Sequence, residues 1–489
     1  MMEVPHPPHR VVIIGGGISG LALAHRLSEL RREHHLPLEL TLLEAHERVG
    51  GVIETQQHDG WLLESGPDAF LSEKPWAVDL CRRLGMTEQL IETQSSFRRS
   101  FVLLRGRLVQ IPQGWYLIAP SRLSTLWRTP LLSVSGKLRM AMEPLIPSRR
   151  AADDESMASF LRRRVGQEAL ERIGQPMIGG IYTADPETLS LQATFPQFAQ
   201  MERTHGSILR GLWAQRQQRG QATRAASGPR YSLFLTLRHG LQTLVDALVR
   251  AMMPSVSLRC RAVVAGISRT RTWTLTLEDG GTLEAETLCL ALPAHRAATL
   301  LKEVTPPLAQ MLAAIPYASV ATVNMAFRAA DVPRPLDGFG VVIPAIERRR
   351  IVGCTCASLK FPGRAPQGTV LLRAFVGGAL DHQWYELDDQ AMAQMVREEL
   401  YLLFGIEHPP LLTSIRRFPQ AMPQYLVGHL ERLAAIETHA ERTPGLYLTG
   451  NGYRGIGIPD CIHQAELTAQ RIMERLVAFQ PHAPVSATS

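Results

Sequence analysis

Long uncharged apolar runs are missing from this sequence. None approaches the roughly 18 residues that a membrane-spanning helix needs, so the chain is expected not to cross a bilayer. Blocks of five or six like charges are missing too, and no basic helix or interleaved aromatic stripe stands out. No nucleic-acid partner is therefore expected, although the net charge is +7. The plain reading of that charge is a solvated basic surface; the sharper readings are an anionic substrate or a membrane surface. Cysteine is sparse, six in 489 residues, with no CxxC pair and no histidine at ligand spacing. That argues against a zinc site, leaves metal ligands at none, and fits reduced thiols in a cytoplasmic protein. Only Cys354 and Cys356 stand close, in an extended run whose alternation puts both on one face. No internal repeat has a fixed period. The start, Arg10 and then VVIIGGGISGLALA, imitates a secretory signal, but its glycine triplet interrupts the apolar run and no small-residue cleavage site follows.

What the chain does have is glycine in telling places. RVVIIGGGISGLALAHRL reads as a buried strand, a tight turn and a helix. Gly15, Gly17 and Gly20 form G-x-G-x-x-G with Gly16 extra; the first allows the turn, the second lets backbone approach a pyrophosphate, and the third lets helix pack on strand. LELTLLE is a second strand ending at Glu44, where an acidic residue hydrogen-bonds a ribose hydroxyl. These features do not separate NAD from FAD. HERVGG does: Arg48-Val49-Gly50-Gly51 follows directly, with a short strand expected at Val52-Ile53, where a nicotinamide dehydrogenase usually continues into a helix. A third backbone-lined turn follows at Glu64-Ser65-Gly66-Pro67-Asp68-Ala69. Three such turns suit a long ligand laid across the sheet edge, and FAD is such a ligand. The C-terminus repeats the logic, with a strand at Leu446 to Thr449, a loop with Gly450, Gly452, Gly455 and Gly457, and a helix starting near Pro459-Asp460.

Between these ends, FVLLRGRLVQIP (101–112) predicts a hairpin turning near Arg105-Gly106. Residues 117–175 read as mostly helical, and Arg162, Arg163 and Arg164 form a basic helix face, either solvated or touching a membrane. Residues 214–230 read as a mobile polar loop and the final AFQPHAPVSATS as disordered. The stretch from Ser257 to Leu292 predicts three strands with a turn at Gly280-Gly281, the last returning to the first sheet.

GGGISG, EAHERVGG, ESGPDAFL, GGIYTADPETLSLQATFPQF, GLQTLV, AMPQYLVGH and GYRGIGIPDCI together resemble the bacterial porphyrinogen oxidases, FAD enzymes within the amine oxidase superfamily. SFVLLRGRLVQIPQG followed by SVSGKLRMAMEPLIP is most similar to the Gram-positive type, which acts on coproporphyrinogen III in heme biosynthesis. The resemblance implies an α/β and α+β chain with a Rossmann-like FAD-binding domain of discontinuous segments (1–76, 236–299 and 441–489). It also implies a sheet-based substrate domain (97–115, 192–235 and 300–440) and a helical domain (77–96 and 116–191). By motif, FAD contacts fall on Gly15, Gly16, Gly17, Ile18, Ser19, Gly20, Glu44, Ala45, Arg48, Gly50, Gly51, Val52, Gly66, Pro67, Asp68, Ala69, the backbone of Val264, and Ile456, Gly457 and Ile458. Phe418 stands where the family often has tryptophan near the cofactor, and Ser100 where plant and animal enzymes have a propionate-binding arginine. Lys74, and behind it Arg98 and Arg99, are the candidate clamps for substrate propionates; no catalytic side chain is expected beyond the flavin. The implied partners are a porphyrinogen with propionate groups, dioxygen, a membrane touched peripherally, and other heme-pathway enzymes. A superfamily amine oxidase or carotenoid desaturase is the alternative enzyme. A flavin-free carrier of the Rab GDP-dissociation inhibitor type would be colourless on purification.

Overall fold

The computed structural model describes residues 7–112, 114–116, 118–120, 123–149, 153–218, 234–253, 255–334 and 337–478. Of the polar stretch 214–230, residues 214–218 end the helix Ile208–Gln218; the rest, and the tail from 479, lie outside the described residues.

Two sheets organise the chain. The first is parallel and five-stranded, in the order Val256–Arg259, Leu38–Leu43, His9–Ile14, Thr287–Leu290 and Leu446–Leu448. Its central strand shows why a continuous apolar run was needed. Val11 and Ile13 enter one core with the helices Ile18–Glu33, Gln242–Met252 and Ile458–Ala478. Val12 and Ile14 enter another with Trp273, Leu275, Ala294, Leu312 and Leu433. Alternation along one strand thus feeds both faces. The first and last helices pack together: Leu21, Ala22, Ile458, Ile462 and Ala465 share that first core. The two ends of the polypeptide therefore converge on one sheet edge.

The second sheet has seven strands, ordered Leu412–Pro423, Tyr317–Arg328, Thr369–Gly377, Gly353–Cys356, Gly340–Val342, Ser100–Leu104 and Arg107–Gln110. The hairpin at its edge turns through Arg105 and Gly106 as expected, both at positive φ (51° and 72°). Cys354 and Cys356 are both buried in the core beneath this sheet, unpaired, and burial pushes the Cys356 thiol up to about 11.

Three expectations need correction. Val52 and Ile53 form no strand, because Ile53 N–H closes a turn onto Gly50 O at 3.0 Å and the next strand starts at Thr55. The predicted three strands after Ser257 are Val256–Arg259, Val264–Arg269, Trp273–Leu277, Thr282–Ala285 and Thr287–Leu290. The short breaks at Cys260–Val263 and Glu286 let the chain leave the parallel sheet, form an antiparallel layer and return. Phe195, Phe198, Met201, Ile208 and Leu209 pack with Met157, Phe160 and Ile173 in a third core that also takes in Val102 and Trp115. The triple arginine is not a free face. Arg162 meets Glu187, Arg163 meets Glu155 and Glu202, and Arg164 is fully buried against Glu143.

Candidate cofactor and substrate site

The first glycine loop leaves the C-terminal end of His9–Ile14 and enters Ile18–Glu33, with Gly17 at the N-cap. Its neighbours are tight: a Cβ on Gly15 would meet Ala291 O at 2.4 Å, and one on Gly20 would meet Gly15 O at 1.9 Å. Gly17 differs, because a Cβ there would meet nothing within 4 Å. The backbone N–H groups of that helix start, Ile18 and Ser19 included, have no acceptor within the helix, and with the open space at Gly17 they make an anion-binding turn.

The second glycine pair is built onto the first. Gly50 N–H donates to Gly16 O at 2.7 Å, and Gly17 and Gly50 pair as an isolated parallel bridge. Gly50 and Gly51 both sit at positive φ (108° and 58°), and a Cβ on Gly51 would stand 3.2 Å from Gly17 Cα. Backbone lies on backbone here, so side chains are excluded from both sides of the crevice. The Arg48 guanidinium braces this loop: it donates to the carbonyls of Val49, Gly51 and Ile53 at 3.1, 2.8 and 2.9 Å. Glu44 is buried and accepts from Gly16 N–H at 2.7 Å and His46 N–H at 2.9 Å. Arg261 and Ala262 N–H bond the carbonyls of His46 and Glu44, which brings the start of Val264–Arg269 beside this end of the crevice, next to Ala45.

The third turn is gripped from below by the second sheet. Thr322 Oγ1 donates to Ser65 O at 2.7 Å, and the Arg373 guanidinium donates to the carbonyls of Ser65 and Gly66. Gly66 lies so close to the second loop that a Cβ would stand 1.8 Å from Val52 O. After Pro67, Asp68 receives Lys360 Nζ on both carboxylate oxygens, at 2.9 and 2.8 Å, and Ala69 leads into the strand Phe70–Leu71. Lys360, Arg364 and Arg373 are all buried here, against Glu64 and Asp68. Burial pushes Asp68 up, but Lys360 and Arg373 outweigh it and hold the carboxyl below its ordinary value. Burial wins at Glu64, which is raised despite bonds from Thr55 and Leu241, and it lowers the Arg364 and Arg373 guanidiniums. None of the three cations was singled out from sequence. The available signal was Arg373, a charge in the middle of the apolar strand TVLLRAFVG.

Ile456 and Gly457 end the C-terminal glycine-rich loop, and Ile458 starts the last helix. Ser19 hydrogen-bonds Cys461, tying the two helix starts together. Phe418 lies half-buried on the edge strand opposite Val320, three residues before Ala421, whose carbonyl accepts from Asn451 at 3.2 Å. Of the candidate substrate cations, only Lys74 reaches this loop, and it is engaged: Nζ meets both Asp460 oxygens at 2.7 Å. Trp76 stacks on His463 beside it, ring centroids 3.9 Å apart. Arg98 is held by Glu92 and Thr93 O, each at 3.3 Å, and Arg99 by Asp337 at 2.5 Å. The structure brings neither to the glycine loops. Ser100 is buried, its hydroxyl without a hydrogen bond.

A family described as flavin containing amine oxidoreductase matches residues 18–473. The chain belongs to that family. This flavoprotein is 38% identical to the coproporphyrinogen III oxidase of Bacillus subtilis, covering 93% of this chain and 96% of the relative. It is 30% identical to that of Staphylococcus aureus (95% and 99%) and 30% to the chloroplastic protoporphyrinogen oxidase 1 of Arabidopsis thaliana (94% and 87%). A crystal structure of a protein from Exiguobacterium sp. 255-15 superposes with a TM-score of 0.84 at 30% identity, covering 96% of this chain and all of that one. Putrescine oxidase, at 19% identity and a TM-score of 0.65, shares the fold. The chain is an FAD-dependent oxidoreductase. The open helix start at Gly17 and the buried acceptor Glu44 fit the two anionic and ribosyl parts of that cofactor. Glu44→Ala removes the acceptor and leaves the Gly16 and His46 N–H groups unmet. FAD affinity is expected to fall about ten- to a hundredfold, on the order of 1–3 kcal/mol, read by fluorescence titration of the apoprotein.

Proposed function

We propose that this flavoprotein oxidises coproporphyrinogen III to coproporphyrin III in heme biosynthesis, with dioxygen as acceptor and three hydrogen peroxide released. The reading is carried by the identity to bacterial relatives named coproporphyrinogen III oxidase over almost their whole length. Aromatisation removes six hydrogens from the macrocycle, which is three two-electron rounds. Bound FAD supplies the two-electron oxidation. The protein's own contribution is to bind and orient, since no acid–base triad is needed to take hydride equivalents from a methylene carbon.

Residues 1–76, 236–299 and 441–489 would hold FAD, through the glycines and carboxylate described above together with Ala45, Val52, Val264, Phe418 and Ile456–Ile458. The seven-stranded sheet would form the wall for an apolar macrocycle. Lys74 remains the cation best placed for a propionate, and it must then exchange Asp460 for a substrate carboxylate. Arg98 and Arg99 take a lesser part, given their own partners. The enzyme would work in the cytoplasm, touching a membrane and neighbouring heme-pathway enzymes at its surface; among the described residues no helix is long and apolar enough to cross a bilayer.

The test is turnover of coproporphyrinogen III and protoporphyrinogen IX in air, following porphyrin fluorescence and peroxide together. Coproporphyrin with about three peroxides per ring is the expected result. Preference for protoporphyrinogen IX would move the protein toward its chloroplast relatives. No porphyrin from either substrate by flavin-loaded protein would overturn the reading.

A further inference from the structure

The loop ahead of the last helix has little shape of its own. Four of its eight residues, 450–457, are glycine, so a free loop of this composition has many backbone conformations open to it. Its braces come from one short stretch, residues 421–429. Tyr425 is 1% exposed, and its hydroxyl donates to Asn451 O. His429 stacks on the Tyr425 ring, centroids 4.2 Å apart, and its Nε2 donates to Tyr453 O at 2.9 Å. Asn451 Nδ2 returns a bond to Ala421 O at 3.2 Å. Burial holds the Tyr425 phenol well above its ordinary value, so it stays protonated and remains a donor.

The same stretch is fastened on its other side to residues 182–190. Ser190 N–H donates to Tyr425 O at 2.8 Å and Val427 N–H to Thr188 O at 3.0 Å. Leu189 pairs with Leu426 as an isolated antiparallel bridge, and Gln424 Nε2 donates to Tyr182 O at 3.1 Å. Tyr425 shares the third core with Tyr182 and Phe195, and Ile456 packs against that core from the loop. Two motifs of the sequence, IYTADPETLSLQATFP and AMPQYLVGH, therefore meet each other. Tyr425 is the point where their junction reaches the glycine-rich loop.

We infer that Tyr425 is a positioning residue for the cofactor: its hydroxyl fixes the glycine-rich loop in the shape that receives FAD, and its main chain ties that shape to the helices behind it. The inference rests on the assignment of Ile456, Gly457 and Ile458 to FAD under the proposed function. Without the hydroxyl the loop spends part of its time in other shapes. Apparent affinity then falls in proportion to the fraction that stays competent. Phenylalanine at this position keeps the ring, the stack on His429 and the packing, so the substitution isolates one hydrogen bond.

The test is fluorescence titration of the full-length apoprotein with FAD, together with thermal melts in its presence and absence. Tyr425→Phe is expected to raise the Kd for FAD about five- to tenfold and to shrink the gain in Tm that FAD confers. Tyr182→Phe is the control. It loses a buried hydroxyl of the same core, bonded to Thr194 O at 3.3 Å rather than to the loop. A purely structural role makes both variants melt earlier without FAD and leaves both with wild-type affinity. The expected result is weak FAD binding in Tyr425→Phe alone. Wild-type affinity in Tyr425→Phe, or equal weakening in both variants, would overturn the inference. Ile456→Ala separates this from the assignment beneath it. Weak binding by Ile456→Ala beside normal binding by Tyr425→Phe sinks the linkage alone, whereas normal binding by both takes the loop away from the cofactor. No porphyrinogen is present, so the oxidase reading stands or falls by its own assay.

Discussion

Gly66→Ala yields a protein that purifies nearly colourless. The added methyl would stand 1.8 Å from Val52 O and 2.8 Å from its carbonyl carbon, so backbone rather than a flexible side chain must move. Neither partner can give way easily. Thr322 and Arg373 hold the carbonyls of Ser65 and Gly66 from the second sheet, and Arg48 holds the loop of Val52 from the other side. Overpacking against fixed backbone costs about 3 kcal/mol or more, on the order of a hundredfold in cofactor affinity if it falls wholly on binding. The ratio of flavin to protein absorbance after purification checks this. Gly266→Ala is the matched control, because a Cβ there meets nothing within 4 Å; it should stay yellow. Full FAD occupancy in Gly66→Ala would show that the second and third turns do not close together on the cofactor.

Lys360→Met is expected to lower the unfolding free energy by about 3 kcal/mol, because removing one partner leaves the other carboxylate in a poorly hydrated site. The side chains are 9 and 19% exposed, so solvent screening of this pair is limited. Arg373 still faces Asp68 in the variant, which keeps the loss toward the lower end for a buried pair. The pH dependence follows from the direction of the shift. Asp68 is held below its ordinary value in the folded protein, so its contribution is present above the unfolded carboxyl value of about 4 and disappears as pH falls through the folded value. Wild type and variant should therefore differ most near neutrality and converge in acid. Denaturant melts across pH 3–7 measure it; a gap that widened in acid would mean that Asp68 is not the group Lys360 stabilises.

These two experiments probe parts of the site that differed in legibility. Gly15, Gly17, Gly20, Gly50 and Gly51 were readable because a missing side chain is a local property: what glycine permits can be inferred wherever it occurs in a strand–turn–helix pattern. The hairpin at Arg105-Gly106 was readable for the same reason. Lys360 and Arg373 were not, since their partners Asp68 and Gly66 are about three hundred residues away in sequence. The triple arginine at 162–164 misled in the opposite direction. Three adjacent cations look like a solvated face until Glu143, Glu155, Glu187 and Glu202 are brought to them.

By itself the sequence determined the nucleotide-binding beginning, the matching loop before the last helix, the acidic residue between them and the resemblance that named the cofactor. Each is written in spacing along one or two neighbouring elements, where covalent geometry does the arranging. Only the tertiary structure decided that the third glycine turn rests on Arg373 of the second sheet and on Lys360, that Lys74 is held by Asp460, and that Trp127, Val134, Leu138, Met142 and Leu145 stay exposed. Those facts depend on which distant charges find one another and which apolar surface finds nothing to cover it, and chain spacing carries no record of either.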